Sequence, residues 1–381
     1  MYLRRIVAQV ATVSAIVGCI FWLGWLIHQS LAQQGIGFSF DYLRRPSGIN
    51  LSEGVAIDLG GWTGSIETVG PDSSNAQVLL AGLINTLKIA LLAIVFSTML
   101  GVATGVGRLS TNWLIRKLAF WVVEFVRNTP LLIQLVFWYF AVILKFPPVT
   151  AVSRIYSWVV VSQSGIFVPW FTVSEGASST AVWLLVGGFA LAVASACPRF
   201  GRPARRCLVG FAVISLLIVM AIGFPLTTDF PQIGRFGASG GYGMTPEMSA
   251  LLLAITVNSA AYTAEIVRGA IEALPKGQWE ASAALGMSRR DTLGDIILPQ
   301  VLRVVLPSLG NRFISLTKDT SLGIAIGYPD LFNVNGTVSN QTGRNLEGVI
   351  IVMAAYLIIS WAISGTINLV NSRLVRHDAR G

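Results

Sequence analysis

The sequence predicts an all-α, polytopic membrane protein with about eight transmembrane helices. Of its 381 residues, 54% are hydrophobic and only 12% are charged, where a soluble domain carries about a quarter. Mean hydropathy is +0.68. The apolar residues are gathered in runs of roughly twenty, long enough at the helical rise to cross ~30 Å of hydrocarbon. A net charge of +9 would suit a nucleic-acid partner, but the basic residues are scattered in short clusters beside these runs. That pattern fixes membrane orientation, so membrane lipid is expected and nucleic acid is not.

Ile6 to Ile27 holds no charged residue and follows Arg4 and Arg5. A signal peptide is the competing reading, because Ser30 and Ala32 resemble a small-residue cleavage site. The apolar run is longer than a usual signal region, which favours a retained helix. With the polar, glycine-rich stretch that follows, this makes a first segment, 1–78, whose outer part has no readable fold. Segment 79–144 holds spans from about Leu79 to Val106 and Leu118 to Leu144. Pro130 lies near the middle of the latter and should kink it. Segment 145–245 contains two further spans, near Thr180 to Cys197 and Leu208 to Pro225, joined by a basic linker with Arg199, Arg202, Arg205 and Arg206. Segment 246–371 holds spans near Met248 to Val267, Leu306 to Gly327 and Leu346 to Leu369, and 372–381 is a tail. With both termini cytoplasmic, inner segments carry roughly three times as many Lys and Arg as outer ones. Cys19, Cys197 and Cys207 sit in or beside apolar runs without ligand spacing and read as free thiols. His28 and His377 likewise make no metal site.

Between the sixth and seventh spans lies a polar island, Gly277 to Pro299. Gln278 to Leu285 are mostly helix formers, Gly286 can take the left-handed conformation that closes a helix, and Ser288 with Asp291 forms a capping-box pattern. The island therefore reads as helix, tight turn, helix, the second ending where Pro299 disrupts its ladder. Ala281, Ser282, Ala283 and Ala284 are small enough for another surface to approach closely. An amphipathic connector lying on the membrane is the plain alternative.

The order Glu280, Ala281, Ser282, Gly286, Ile296, Leu298, Pro299 resembles the EAA loop of permease subunits from bacterial ABC importers. Asn85-Thr86-Leu87, Arg127-Asn128-Thr129-Pro130-Leu131 with Gln134, Ala261-Tyr262 with Glu265 and Arg268-Gly269, and Lys318-Asp319-Thr320-Ser321-Leu322 narrow the likeness to the polar amino acid (histidine, glutamate, general L-amino acid) permeases. An extra first helix and an inserted helical pair are most similar to a general L-amino acid permease subunit. Ser282 stands where the loop's name has its second Ala, a small-for-small change. The resemblance implies a five-helix type I importer core in 79–144 and 246–371 and says little about the rest. It also implies a bacterial inner-membrane location, two ATP-binding partner subunits docked at the loop, a second and unlike permease chain, a periplasmic binding protein and an amino acid substrate. The chain carries no phosphate-binding P-loop pattern, so no catalytic residue and no cofactor is expected in it; ATP would be bound by the partner.

Ionisable groups inside spans are costly and hence functional candidates. An amino acid presents a carboxylate and an ammonium, and a dry passage needs donors and acceptors for both. Arg127, Gln134, Asn258 and Lys318 are candidate donors, and Glu124 and Asp319 candidate acceptors. Asn128 can share a face with Glu124, as Arg312 can with Asp319. Glu124 with Arg127 also suits a structural ion pair, and Glu265 with Arg268 either a cytoplasmic gate or a brace for the loop. Gly101 and Gly105 permit close helix approach, within the chain or to a second copy. An ion-coupled secondary transporter or channel is the alternative function, with Asp319, Glu124 and Glu265 as the relay.

Overall fold

The computed structural model describes residues 2–33, 38–58, 65–151, 158–174, 178–195, 202–234 and 238–378; Cys197 and Arg199 lie outside them. The chain divides into two units, one of residues 1–85 and 329–360, the other of 86–328 and 361–381.

The first unit contains α1 (Tyr2–Gln33), the β1 (Val55–Asp58) and β2 (Ser65–Thr68) hairpin, the start of α2 (Asn75–Arg108), α11 (Leu331–Thr342) and the start of α12 (Asn345–Asp378). Val10, Phe21 and Trp25 of α1 are exposed, as on a helix whose solvent is lipid. The polar stretch after α1 is held by packing and by amide side chains. Tyr42, Ile49 and Val69 join Val78, Leu79, Leu331 and Val334 in one apolar cluster. Asn75 donates to the Tyr42 carbonyl at 2.8 Å, and Asn85 to the carbonyls of Glu53 and Pro329 at 2.9 and 3.0 Å. Asp330 is fully buried and caps α11, accepting from the backbone N–H groups of Asn333 and Phe332 and from the Tyr356 hydroxyl. Burial pushes its carboxyl up to about 6, against the hydrogen bonds that favour the charged form.

The second unit is built around α7 (Pro246–Glu272), capped by the Thr245 side chain with Pro246 at the first helical position. Leu251 and Ile255 of α7 meet Ile89, Leu135, Ile143, Leu316 and Tyr328 in the main core. A Cβ on Gly101 would lie 2.5 Å from Thr263 Cβ, and one on Gly105 would lie 2.8 Å from the Ala264 carbonyl oxygen. The glycine pair thus lets α2 press against α7 within the chain, and packing of that kind accounts for it fully. Around α7 lie α3 (Trp113–Arg127), α4 (Leu131–Val136, continued by wide and tight turns to Lys145), α8 (Lys276–Ala284), α9 (Arg289–Asp291) and α10 (Leu298–Asp319).

The inserted segment carries α5 (Ser179–Ser195) and α6 (Arg202–Ile222) and short antiparallel strands that the sequence did not announce. β3 (Val160–Ser162), β4 (Gly165–Val168) and β9 (Tyr242–Met244) form one small sheet. β5 (Trp170–Val173) pairs with β6 (Leu226–Asp229) at the foot of the helical pair, and β7 (Gln232–Ile233) with β8 (Ala238–Ser239). Each strand is at most four residues, too short for periodicity to reveal.

Among the described residues six helices are long and apolar enough to cross a membrane, or seven if the pair α3 and α4, bent by 103°, counts as one span; the apolar helix Thr180–Ala192 is shorter. The all-α, polytopic prediction holds, with the number of spans set by how those two elements are counted. Two details differ from the sequence reading. Pro130 breaks its span outright instead of kinking it. Pro299 ends no helix: a wide turn over Thr292–Ile297 absorbs it at the start of α10, where a missing N–H costs nothing.

Gly101→Ala is expected to destabilise the purified protein by about 1–3 kcal/mol through overpacking against Thr263, whereas Gly269→Ala, with open space around it, is neutral or slightly stabilising. Thermal unfolding of both variants in one detergent decides this; equal behaviour would place the α2 contact elsewhere. For Asp330, the native carboxyl holds its proton more tightly than the unfolded chain, whose value is near 3.8, so its contribution is complete below that value and fades as pH rises through about 6. Asp330→Asn keeps a capping oxygen and cannot titrate. The stability difference between pH 5 and pH 7.5 should shrink in this variant, and an undiminished difference would show that the carboxyl is ordinary.

Candidate functional site

The break in the third span creates a cleft. Pro130 has no N–H to donate and excludes a helical conformation from the residue before it, so α3 stops at Arg127 and the backbone turns before α4 begins. Carbonyls freed inside a membrane need other donors. The buried Gln134 supplies them: its Nε2 donates to the Val126 carbonyl at 2.8 Å and to the Thr129 carbonyl at 2.9 Å. Gln134 therefore braces the break and is not among the residues that line the cleft.

The cleft encloses about 340 Å³ and is lined by Arg127 to Leu131, Asn258, Tyr262, Arg312, Asp319 and Leu322. Arg312 is its best-anchored group. Its Nη2 donates to Asn258 Oδ1 at 2.9 Å and to Ser259 Oγ at 2.7 Å, its Nε also reaches Ser259 Oγ at 3.1 Å, and Asp319 lies 3.5 Å away. The Tyr262 ring carries two guanidiniums, that of Arg312 at 4.5 Å and that of Arg127 at 5.6 Å from its centroid. Asn258 and Tyr262 are one turn apart on α7, so one helix face supplies both the amide and the ring. Asn128 caps α3, its side-chain amide donating to the Glu124 carbonyl at 2.8 Å.

Next to the cleft is a lattice of ion pairs. Glu265 of α7 contacts Arg108 at 2.5 Å, Arg268 at 2.5 Å and Arg127 at 3.9 Å. Glu124 stands 3.7 Å from both Arg108 and Arg127, and Arg268 also pairs with Glu272. The Arg108 side chain is only 8% exposed and its guanidinium covers the Phe120 ring. Glu124 and Glu265 thus share the lattice with Arg127, which alone of the three also lines the cleft. Lys318 is exposed on α10 and belongs to neither cluster. Arg108 was legible only as an interfacial charge, and Tyr262 only as part of a motif; no sequence signal marks a ring that will lie between two arginines.

The polar island forms a second feature. α8 closes in a Schellman motif: Met287 N–H donates to the Ser282 carbonyl and Gly286 N–H to the Ala283 carbonyl, with Gly286 at φ +71°. Ser288 Oγ accepts from Asp291 N–H and donates to the Asp291 carboxylate, starting α9. Ser282 is buried and donates to the Gln278 carbonyl, while Glu280, Ala281, Ala284, Leu285, Gly286 and Leu298 are exposed. Trp279 and Ile296 pack into a cluster with Val267, Ala270, Ile297, Val301 and Val305, and Pro299 is half-buried at the start of α10. The loop is anchored on the ends of α7 and α10, the two helices that supply Asn258, Tyr262, Arg312 and Asp319.

Residues 185–377 match the family of binding-protein-dependent transport system inner membrane components. The chain is 37% identical to the putative amino-acid ABC transporter permease protein YhdX of Escherichia coli, over 96% of its own length and 93% of that protein. It is 34% identical to the general L-amino acid transport system permease protein AapQ of Rhizobium johnstonii, over 97% and 92%. With the glutamate/glutamine/aspartate/asparagine transport system permease protein BztB of Rhodobacter capsulatus it shares 32% identity over 97% and 93%. This chain belongs to the family of inner-membrane permease components of binding-protein-dependent ABC transport systems, and is a transport subunit rather than an enzyme.

Proposed function

We propose that this chain forms a translocation path for amino acids in an ATP-driven importer, with the α3–α4 cleft as the polar station on that path. The observation that carries this reading is the cleft's chemistry: fixed guanidiniums at Arg312 and Arg127 facing a carboxylate at Asp319, inside a helical bundle. A zwitterion brings one carboxylate and one ammonium, and this is the arrangement that offsets the loss of water from both. The relatives' names agree on amino acids as cargo. The ion-coupled alternative is not retained, because members of the family work with a substrate-binding protein and an ATPase.

In the full assembly two ATP-binding subunits dock on the exposed face of α8, with Glu280 offering the charge and Gly286 fixing the angle to α9. ATP is bound there and not by this chain. Both termini and the loop face the cytoplasm. A periplasmic binding protein delivers the substrate on the outer side. The second permease chain is taken to be unlike this one, and Lys318 supports a facing chain of either kind: an exposed ammonium within a span needs water or protein beside it, and a facing chain provides a wet interface. Closure of the ATPases moves the loop. Because Trp279 and Ile296 are packed onto α7 and α10, that movement reaches the helices that line the cleft. The path works by alternating access between outward-open and inward-open arrangements, and the lattice of Arg108, Arg127 and Arg268 with Glu124 and Glu265 holds one of the two closed.

Two measurements test this on the complete transporter in proteoliposomes. Gly286→Pro removes an N–H of the Schellman motif and cannot adopt the positive φ, so ATP-driven uptake should fall to background while the chain still inserts; normal uptake would sink the coupling role. In the cleft, Tyr262→Ala removes the surface under two guanidiniums and should lower uptake about tenfold, whereas Tyr262→Phe keeps the ring and most of the activity. Equal loss in both variants would mean that the ring is not what matters.

A further inference from the structure

The inserted helical pair contributes nothing to the cleft or the loop. Among the described residues α5 and α6 each pack substantially only on the other. They cross where Gly188 meets Ser215: a Cβ on Gly188 would stand 2.8 Å from Ser215 Oγ, and that hydroxyl donates to the Leu184 carbonyl at 2.5 Å. Such a close crossing leaves a groove on each side, of about 290 and 320 Å³. Both are lined almost wholly by apolar side chains; Val209 and Ala192 lie at one end of the larger groove. Trp183, Phe189, Phe211 and Leu217 remain exposed around them.

Charge on this pair is confined to one end. From Gly176 to Thr228 the sequence holds no Asp or Glu, and its basic residues are Arg199, Arg202, Arg205 and Arg206, the last three in the first turns of α6. Arg205 and Arg206 are exposed, and neither has an acidic partner among the described residues. Arg205 is held in place, its Nε donating to the Ser195 carbonyl at the end of α5 at 2.8 Å while the residue stays exposed. Val209 is one turn along α6 from Arg205, so the larger groove ends about one helical turn from the arginines. A fixed cationic end above an apolar furrow matches an amphiphile with an anionic head and an alkyl chain.

We propose that the α5–α6 hairpin is a binding site for one anionic phospholipid, its headgroup on Arg205 and Arg206 and an acyl chain in the groove between Ala192 and Val209. Each arginine near a membrane surface favours an anionic lipid by about fivefold, and a zwitterionic headgroup gains little from them. The site is independent of the translocation path and remains whatever that path carries.

The test is lipid retention by the complete transporter, purified in mild detergent and washed extensively. Phosphatidylglycerol and phosphatidylethanolamine that remain bound are quantified by mass spectrometry after reconstitution from an equal mixture. Wild type is expected to retain phosphatidylglycerol in excess. Arg205→Gln combined with Arg206→Gln should lower that excess at least fivefold, and Ala192→Trp, which fills the groove without touching charge, should lower it as well. Arg116→Gln, a basic residue at another helix start, should leave it unchanged. Equal retention of the two lipids by wild type, an unchanged excess in both hairpin variants, or quantitative cross-linking of Trp183→Cys to another protein chain in native membranes would each overturn the proposal.

Discussion

The need to satisfy backbone polar groups away from water governs this structure, and it is met most unusually at Pro130. A helix that breaks within a membrane exposes carbonyls at its end and amide groups at its restart, each costing several kcal/mol in hydrocarbon if unpaired. Here one amide side chain spans the gap, since Gln134 donates to both Val126 and Thr129 from the first turn of the new helix. Because this bond pair makes the break affordable, a turn of 103° becomes possible and the end of α3 faces a cavity instead of another turn of helix. The cleft is the consequence. Asn128 closes α3 and Arg127 sits at its rim, so the same short sequence makes the opening and lines it.

Arg312 shows the same economy. A guanidinium in a span is costly, and this one is anchored by Asn258, Ser259 and the Tyr262 ring before its partner carboxylate is considered. At 3.5 Å, Asp319 is within ion-pairing range but makes no hydrogen bond to Arg312 that would lock the two together. The lattice at Glu265 is different in kind. There the contacts to Arg108 and Arg268 are short, with Arg127 further off at 3.9 Å, so removing one member leaves charges uncompensated. One cluster holds its carboxylate loosely and the other holds its glutamate closely, and Arg127 borders both.

Much of this was legible in the sequence because the relevant signals are local. Left-handed Gly286, the Ser288–Asp291 cap and the apolar spans each depend on residues within a few positions, and the structure places them as their chemistry requires. Tertiary relations were less accessible. The composition of span three announces a proline but not that Gln134 will turn inward to hold its carbonyls; the same amide was equally suited to a substrate. Lys318 and Asp319 are adjacent in sequence, and only the helix's rotational setting sends one to the surface and the other to the cleft. The short strands around the inserted pair were silent for a simpler reason, since at most four residues carry no period.

The inserted hairpin marks where a local reading stops. Its helices are apolar on every side, a composition that in a soluble protein would mean complete burial, yet they pack substantially only on each other. In a membrane that is stable, because lipid replaces the protein core as solvent for the outer faces. What remains to be explained is asymmetry: apolar grooves along the length, and basic residues gathered at one end with no acidic partner for Arg205 or Arg206 among the described residues. Random drift in a lipid-facing insert would preserve hydrophobicity, but nothing in hydrophobicity alone requires Arg205 to be fixed against the end of α5 above a groove. Apolar surface on both helices, and the length of α6, place the hairpin in the bilayer, and the arginines set both its depth and the headgroup it accepts.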